Sequence, residues 1–250
     1  MMPLLAEVRE QFQALNMNHA ASALPGVIDK AQQEQWGLLA TINALLGKER
    51  DERMDKARTR RMKDAGFPYL ASIEGFDFGF QRGVSKKHML QLKELSWLES
   101  AFNILLIGPP GVGKTHLAVA LGIAAVDAGY KTIFLHAEQL IHIFRTLEIS
   151  SKSKLRLKKI IQANLVIIDE IGFQPIARQE ANALFNLINQ LYQQTSIILT
   201  SNKGVAEWGE FMGDPVIIAA MLDRLMHKCE VFDMDGESYR IAHRERLLKK

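Results

Sequence analysis

Three regimes of hydrophobic and polar patterning divide the sequence. Through residues 1–65, apolar positions are spread among Ala, Gln, Glu, Lys and Arg, which favour helix. Pro25-Gly26 is the one strong breaker pair there and is expected to join two helices. Residues 66–85 are punctuated by Gly66, Pro68, Gly75, Gly79 and Gly83, with Phe67, Tyr69, Phe76, Phe78 and Phe80 between them. This predicts an extended connector whose rings either anchor it to the core of the next domain or stack on a nucleobase. From Lys86 onward, short apolar runs alternate with amphipathic stretches. The pattern predicts strands at 103–107, 131–136, 165–168 and 196–200, and helices at 115–128, 138–147, 178–194 and 215–227. Strands that are apolar throughout are buried on both faces, as in a parallel sheet covered by helices. The expected class is therefore α/β, doubly wound, with an all-helical region at 1–65, a connector at 66–85 and the α/β domain at 86–250.

Composition narrows this reading without redirecting it. Of 250 residues, 48% are hydrophobic and 24% charged, which are globular proportions and argue against a mainly disordered chain. A single cysteine, Cys229, excludes an intrachain disulfide and a multi-cysteine zinc site. No apolar run approaches the ~20 residues that span a bilayer, and Glu7 interrupts the N-terminal apolar stretch before it reaches signal-peptide length. A cytoplasmic protein with no membrane partner is expected. The net charge of +3 is too small to argue for a nucleic-acid partner, so the distribution of charge matters more than the sum. His88, His136, His142, His227 and His243 show no tight metal-ligand spacing.

The strongest chemical signal is Gly108-Pro109-Pro110-Gly111-Val112-Gly113-Lys114-Thr115, which fits G-x-x-x-x-G-K-[ST] between a strand and a helix. Its glycines let backbone amides converge on phosphate oxygens, and the helix that follows turns its positive end toward them. Lys114 is expected to reach the β and γ phosphates of ATP, and Thr115 to ligate Mg²⁺. His116, in the first turn of that helix, borders the nucleotide and has no second ligand nearby, so packing or hydrogen bonding is expected of it. The run Leu165-Val166-Ile167-Ile168 delivers Asp169 and Glu170 beside the loop, Asp169 for the Mg²⁺ shell and Glu170 to polarise a water for hydrolysis. Asn202, after the strand at 196–200, either orients that water and senses the γ-phosphate or is a strand-ending turn residue.

These motifs in this order resemble the AAA+ ATPases. The wording of 108–118, 168–175, 184–188, 199–203 and 223–225 is similar to the IstB/DnaC-like family. The helical N-terminal region and Glu-Trp-Gly-Glu-Phe at 207–211 resemble its transposition-helper branch. The resemblance implies a three-layer α/β/α P-loop domain with a central parallel sheet. It implies that Arg224 is an arginine finger reaching the nucleotide of a neighbouring copy, hence a homo-oligomer, and that Arg240 is a second sensor arginine. Lys152, Lys154, Arg156, Lys158 and Lys159 have no acid among them and, by the resemblance, contact the DNA backbone; a solubilising loop is the alternative. Arg58, Arg60 and Arg61 form a second candidate patch, within a stretch whose charges otherwise make a solvated helix surface. The implied function is an ATP- and Mg²⁺-dependent ATPase that assembles on double-stranded DNA and assists a transposase. A DnaC-like helicase loader is the nearest alternative; a small-molecule phosphotransferase and a nucleotide-switched binding module are more distant ones.

Overall fold

The computed structural model describes residues 2–173, 175–209 and 214–244. The chain forms two compact units that divide between Arg60 and Arg61. The first is helical: α1 (Met2–Ala14), α2 (Asn18–Gln33) and the start of α3 (Leu38–Ala65). Contrary to the sequence expectation, α2 runs straight through Pro25 and Gly26. Both residues lie on its exposed side, while Ala20, Ala21, Leu24 and Val27 form a buried face, so packing outweighs the carbonyl that proline leaves unbonded. The chain instead turns at Asn16 and Gln35, which adopt left-handed φ values of 58° and 54°.

The amino end of α2 has no side-chain cap of its own. Glu49, on α3 and only 5% exposed, supplies one. Its carboxylate accepts from the amides of His19 (2.9 Å) and Ala20 (3.1 Å) and pairs with Arg53 at 2.7 Å. Burial raises the pKa of this carboxyl, but the two amides and Arg53 outweigh it and hold the group below its ordinary value. A depressed carboxyl contributes stability that is present at neutral pH and is lost as pH falls through the lowered pKa. Protection of the amides of the 18–33 helix in the full chain, taken as exchange relative to the intrinsic rate at each pH, is therefore expected to fall on acidification below about pH 5. Glu49→Gln should exchange faster at neutral pH and lose that acid dependence; an unchanged acid profile would contradict the assignment.

The second unit contains α4 (Lys86–Lys93), α5 (Ser96–Glu99), β1 (Asn103–Ile107), α6 (Lys114–Asp127), β2 (Thr132–His136), α7 (Ala137–Arg145) and α8 (Ser151–Ile161). It continues through β3 (Leu165–Ile171), α9 (Arg178–Leu191), β4 (Ser196–Ser201), α10 (Pro215–Met226), β5 (Cys229–Asp233) and α11 (Tyr239–Ala242). The five strands are all parallel, in the order β2-β3-β4-β1-β5. On one face of the sheet, α7, α9 and α10 enclose a core that includes Leu140, Leu184, Ile188 and Met221. On the other, α6 buries Leu117, Val119 and Leu121, with Phe67, Phe76 and Phe78 of the connector packed against the same core. This is the α/β/α architecture expected. Strand β5 was not expected: as an edge strand it is only partly buried and carries no continuous apolar run. No helix among the described residues is long and apolar enough to cross a membrane. Glu210 and Phe211 of the 207–211 segment lie outside the described residues; Trp208 of that segment is fully buried.

Candidate functional site

The phosphate loop leaves β1 at Gly108 and enters α6 at Lys114. Gly108 and Gly111 have left-handed φ values of 146° and 87°. A Cβ on Gly108 would lie 2.0 Å from the Met234 carbonyl oxygen, and one on Gly111 2.1 Å from the Ser238 hydroxyl. Only glycine allows the segment after β5 to press this closely on the loop. Lys114 Nζ donates to the carbonyls of Gly108 (2.6 Å) and Pro109 (2.8 Å). Burial pulls the Lys114 pKa down, opposed in part by Asp169.

Asp169, completely buried at the end of β3, accepts from the hydroxyls of Thr115 (2.9 Å) and Thr200 (2.5 Å). Glu170 follows in a left-handed conformation, φ 62°, where the register of β3 with β4 shifts between Ile168 and Ile171. This irregularity turns Glu170 outward while its flanking residues stay buried. The Glu170 amide donates to Thr200 Oγ1 at 2.8 Å, which fixes the strained backbone.

These residues open onto a cavity of about 690 Å³ that also takes in Asn202 and Arg240. Arg240 reaches it from α11, which Ser238 caps and which is tied to the loop by a bond from the Tyr239 amide to the Gly111 carbonyl (3.1 Å). The far wall comes from the connector, including Tyr69 and Phe76. His116 Nε2 lies 3.0 Å from the Ser72 carbonyl oxygen, and its ring centroid lies 5.8 Å from that of Phe76. Connector rings thus anchor in the core, and Tyr69 and Phe76 also face the cavity.

His136 belongs to no motif legible in the sequence. The pairing of β2 with β3 sets it opposite Asp169, with Nδ1 3.3 Å from an Asp169 carboxylate oxygen. Ligand atoms of His136, Asp169 and Glu170 all lie within 4.8 Å of one another, a cluster that can face a cation. The missing information was strand order, which brings residues 136 and 169 together.

Other expected site residues lie apart from this cavity. Arg224, on α10, donates to Asn189 Oδ1 (2.8 Å) and the Ala220 carbonyl (2.7 Å) and stacks over the Phe185 ring at 5.0 Å. On α8, Lys152, Lys154, Lys158 and Lys159 are exposed, and Lys159 pairs with Asp64 at 2.7 Å. Arg156 departs from the backbone-contact expectation. It is turned inward and half-buried, its guanidinium donating to the carbonyls of Asp64 and Phe134, both at 3.2 Å, and burial lowers its pKa. Nor do the three arginines of the second patch act alike. Arg58 and Arg60 are exposed in the first unit, whereas Arg61 Nε donates to the Val126 carbonyl at 3.3 Å.

A phosphate loop after β1, an acidic pair ending β3 and a parallel sheet in this strand order define a P-loop domain of the AAA+ type. The fold is similar to that of the DnaC helicase loader (TM-score 0.52, 19% identity, 66% of this chain and 97% of that one). It is also similar to that of the replication initiator DnaA bound to AMPPCP and single-stranded DNA (TM-score 0.57, 19% identity, 69% of this chain and 52% of that one). In sequence, the chain is 38% identical over 232 residues to the insertion sequence IS21 ATP-binding protein of Pseudomonas aeruginosa, covering 93% of this chain and 88% of that protein. It is 39% identical over 206 residues to the insertion sequence IS5376 ATP-binding protein of Geobacillus stearothermophilus, covering 82% of this chain and 81% of that protein. The family model for IstB-like ATP binding protein matches residues 10–247, and the chain belongs to that family.

Proposed function

We propose that this chain is an Mg²⁺-dependent ATPase that assembles as a homo-oligomer on double-stranded DNA and assists a transposase. The observation that carries the reading is one cavity joining Lys114, Thr115, Asp169, Glu170, Asn202 and Arg240, while Arg224 makes its bonds elsewhere. The triphosphate lies along the loop amides, and Lys114 exchanges its two loop carbonyls for phosphate oxygens. Thr115 and Asp169 offer hard oxygen donors suited to Mg²⁺; when bound, the ion neutralises charge developing on the phosphates. Glu170 orients and deprotonates the attacking water, with Asn202 beside it. Tyr69 and Phe76 provide apolar surface for the base. Arg224, unable to serve the cavity of its own chain from where it is held, completes that of a neighbouring copy. Lys152, Lys154, Lys158 and Lys159, with Arg58 and Arg60, supply DNA phosphate contacts, which are salt-sensitive and carry little sequence information.

The insertion-sequence relatives support the transposase partnership over a helicase-loader role, for which the fold likeness is the support. The test is ATPase rate per subunit against protein concentration, with and without duplex DNA. Turnover is expected to rise cooperatively with concentration and with DNA. A rate flat on dilution and indifferent to DNA would remove both the assembly and the DNA reading.

A further inference from the structure

We infer that Leu155, assisted by Ile149, is an apolar wedge that this chain inserts between base pairs of duplex DNA. The inference rests on the DNA-binding reading above and specifies what the contact does to the duplex. Helix α8 buries Ser153 and Ile160 and turns Arg156 inward. Its outer face carries Leu155, 63% exposed. With 3.6 residues per turn, Lys152 (i−3), Lys158 (i+3) and Lys159 (i+4) all neighbour Leu155 on that face. Ile149, in the turn that leads into α8, is 86% exposed. The chain contains no acid from 149 to 168. Among the described residues, Lys152, Lys154 and Lys158 form no ion pair, whereas Lys159 has Asp64.

An aliphatic side chain ringed by lysines needs a partner that is anionic around an apolar centre. Duplex DNA is such a partner: phosphates flank a groove floored by base-pair edges, and unstacking a step opens apolar base faces between them. Leu and Ile are among the side chains that unstack a step and kink the helix when lysines hold the backbone. Flexible pyrimidine–purine steps would yield first. An anionic membrane surface would also meet lysines, but two aliphatic residues offer little of the apolar area that interfacial helices bury.

The experiment uses the full-length protein with ATP and a duplex carrying a fluorophore at each end. The wild type is expected to shorten the end-to-end distance. An Ile149→Ala, Leu155→Ala double variant should bind within about threefold of wild-type affinity, since phosphate contacts dominate binding, yet lose at least half of the distance change. Leu155→Phe should retain the change. Normal bending by the double variant would overturn the wedge and leave the DNA reading standing. A double variant that fails to assemble, with DNA bending lost only in proportion, would make the patch a contact between copies and overturn the wedge as well. In parallel, Lys152→Glu, Lys154→Glu and Lys158→Glu combined should weaken binding at least tenfold and reduce the log–log salt slope by about 2.7, at roughly 0.9 per phosphate contact. Unchanged binding by that variant would overturn DNA binding by α8 itself, and the wedge with it.

Discussion

Glu170→Gln is expected to bind ATP nearly as well as the wild type and to turn it over roughly 10²–10⁴-fold more slowly, the range for losing a positioned general base. Glutamine keeps the shape of glutamate but cannot accept the proton of the attacking water. The surroundings survive the change, because the 170 backbone is held through its amide by Thr200 and the neighbouring Asp169 by Thr115 and Thr200. Single-turnover hydrolysis alongside equilibrium nucleotide binding separates the two effects. Loss of binding in step with loss of turnover would make Glu170 a structural residue. Turnover within threefold of wild type would move the base role elsewhere, and His136, clustered with Asp169 and Glu170, would be the next group to replace.

Arg224→Ala is expected to lower turnover by roughly 10³–10⁵, the worth of an arginine finger. That corresponds to about 4–7 kcal/mol at 1.36 kcal/mol per tenfold. Folding stability should change far less: the partly buried cation–π contact with Phe185 contributes about 0.5–2 kcal/mol. The contrast between a large kinetic and a small thermodynamic effect would mark a residue that acts on the reaction rather than on the fold. A mixing experiment sharpens it. Arg224→Ala has an intact cavity without a finger, and Lys114→Ala has a finger without a working cavity. Mixed, the two should recover part of the activity that each lacks alone. No recovery, with both variants folded and assembling, would mean that Arg224 does not act across an interface.

Strands β1, β3 and β4 and the phosphate loop were legible because a buried parallel strand is apolar at every position and the loop imposes fixed residue types. What escaped the sequence depended on which distant segments touch. His136 joins Asp169 only because β2 lies beside β3. Glu49 caps a helix some thirty residues earlier, and Arg156 looks like its lysine neighbours until Asp64 and Phe134 turn it inward. Strand β5, at the sheet edge, lacks the continuous apolar run that marked the others. Pro25 misled for a different reason: propensity registers the cost of a proline locally, whereas the buried face of α2 offsets it over the whole helix.

The left-handed backbone at Glu170 sets folding against chemistry at a single position. A side chain other than glycine or asparagine held at φ 62° costs roughly 1–3 kcal/mol. Selection for thermal robustness alone would therefore favour glycine or asparagine at 170, and either would discard the carboxylate. On the proposed ATPase reading, a more heat-resistant variant that had drifted there would still fold and bind nucleotide but would no longer turn it over. On that reading, the strain at residue 170 is what keeping a carboxylate there costs the fold.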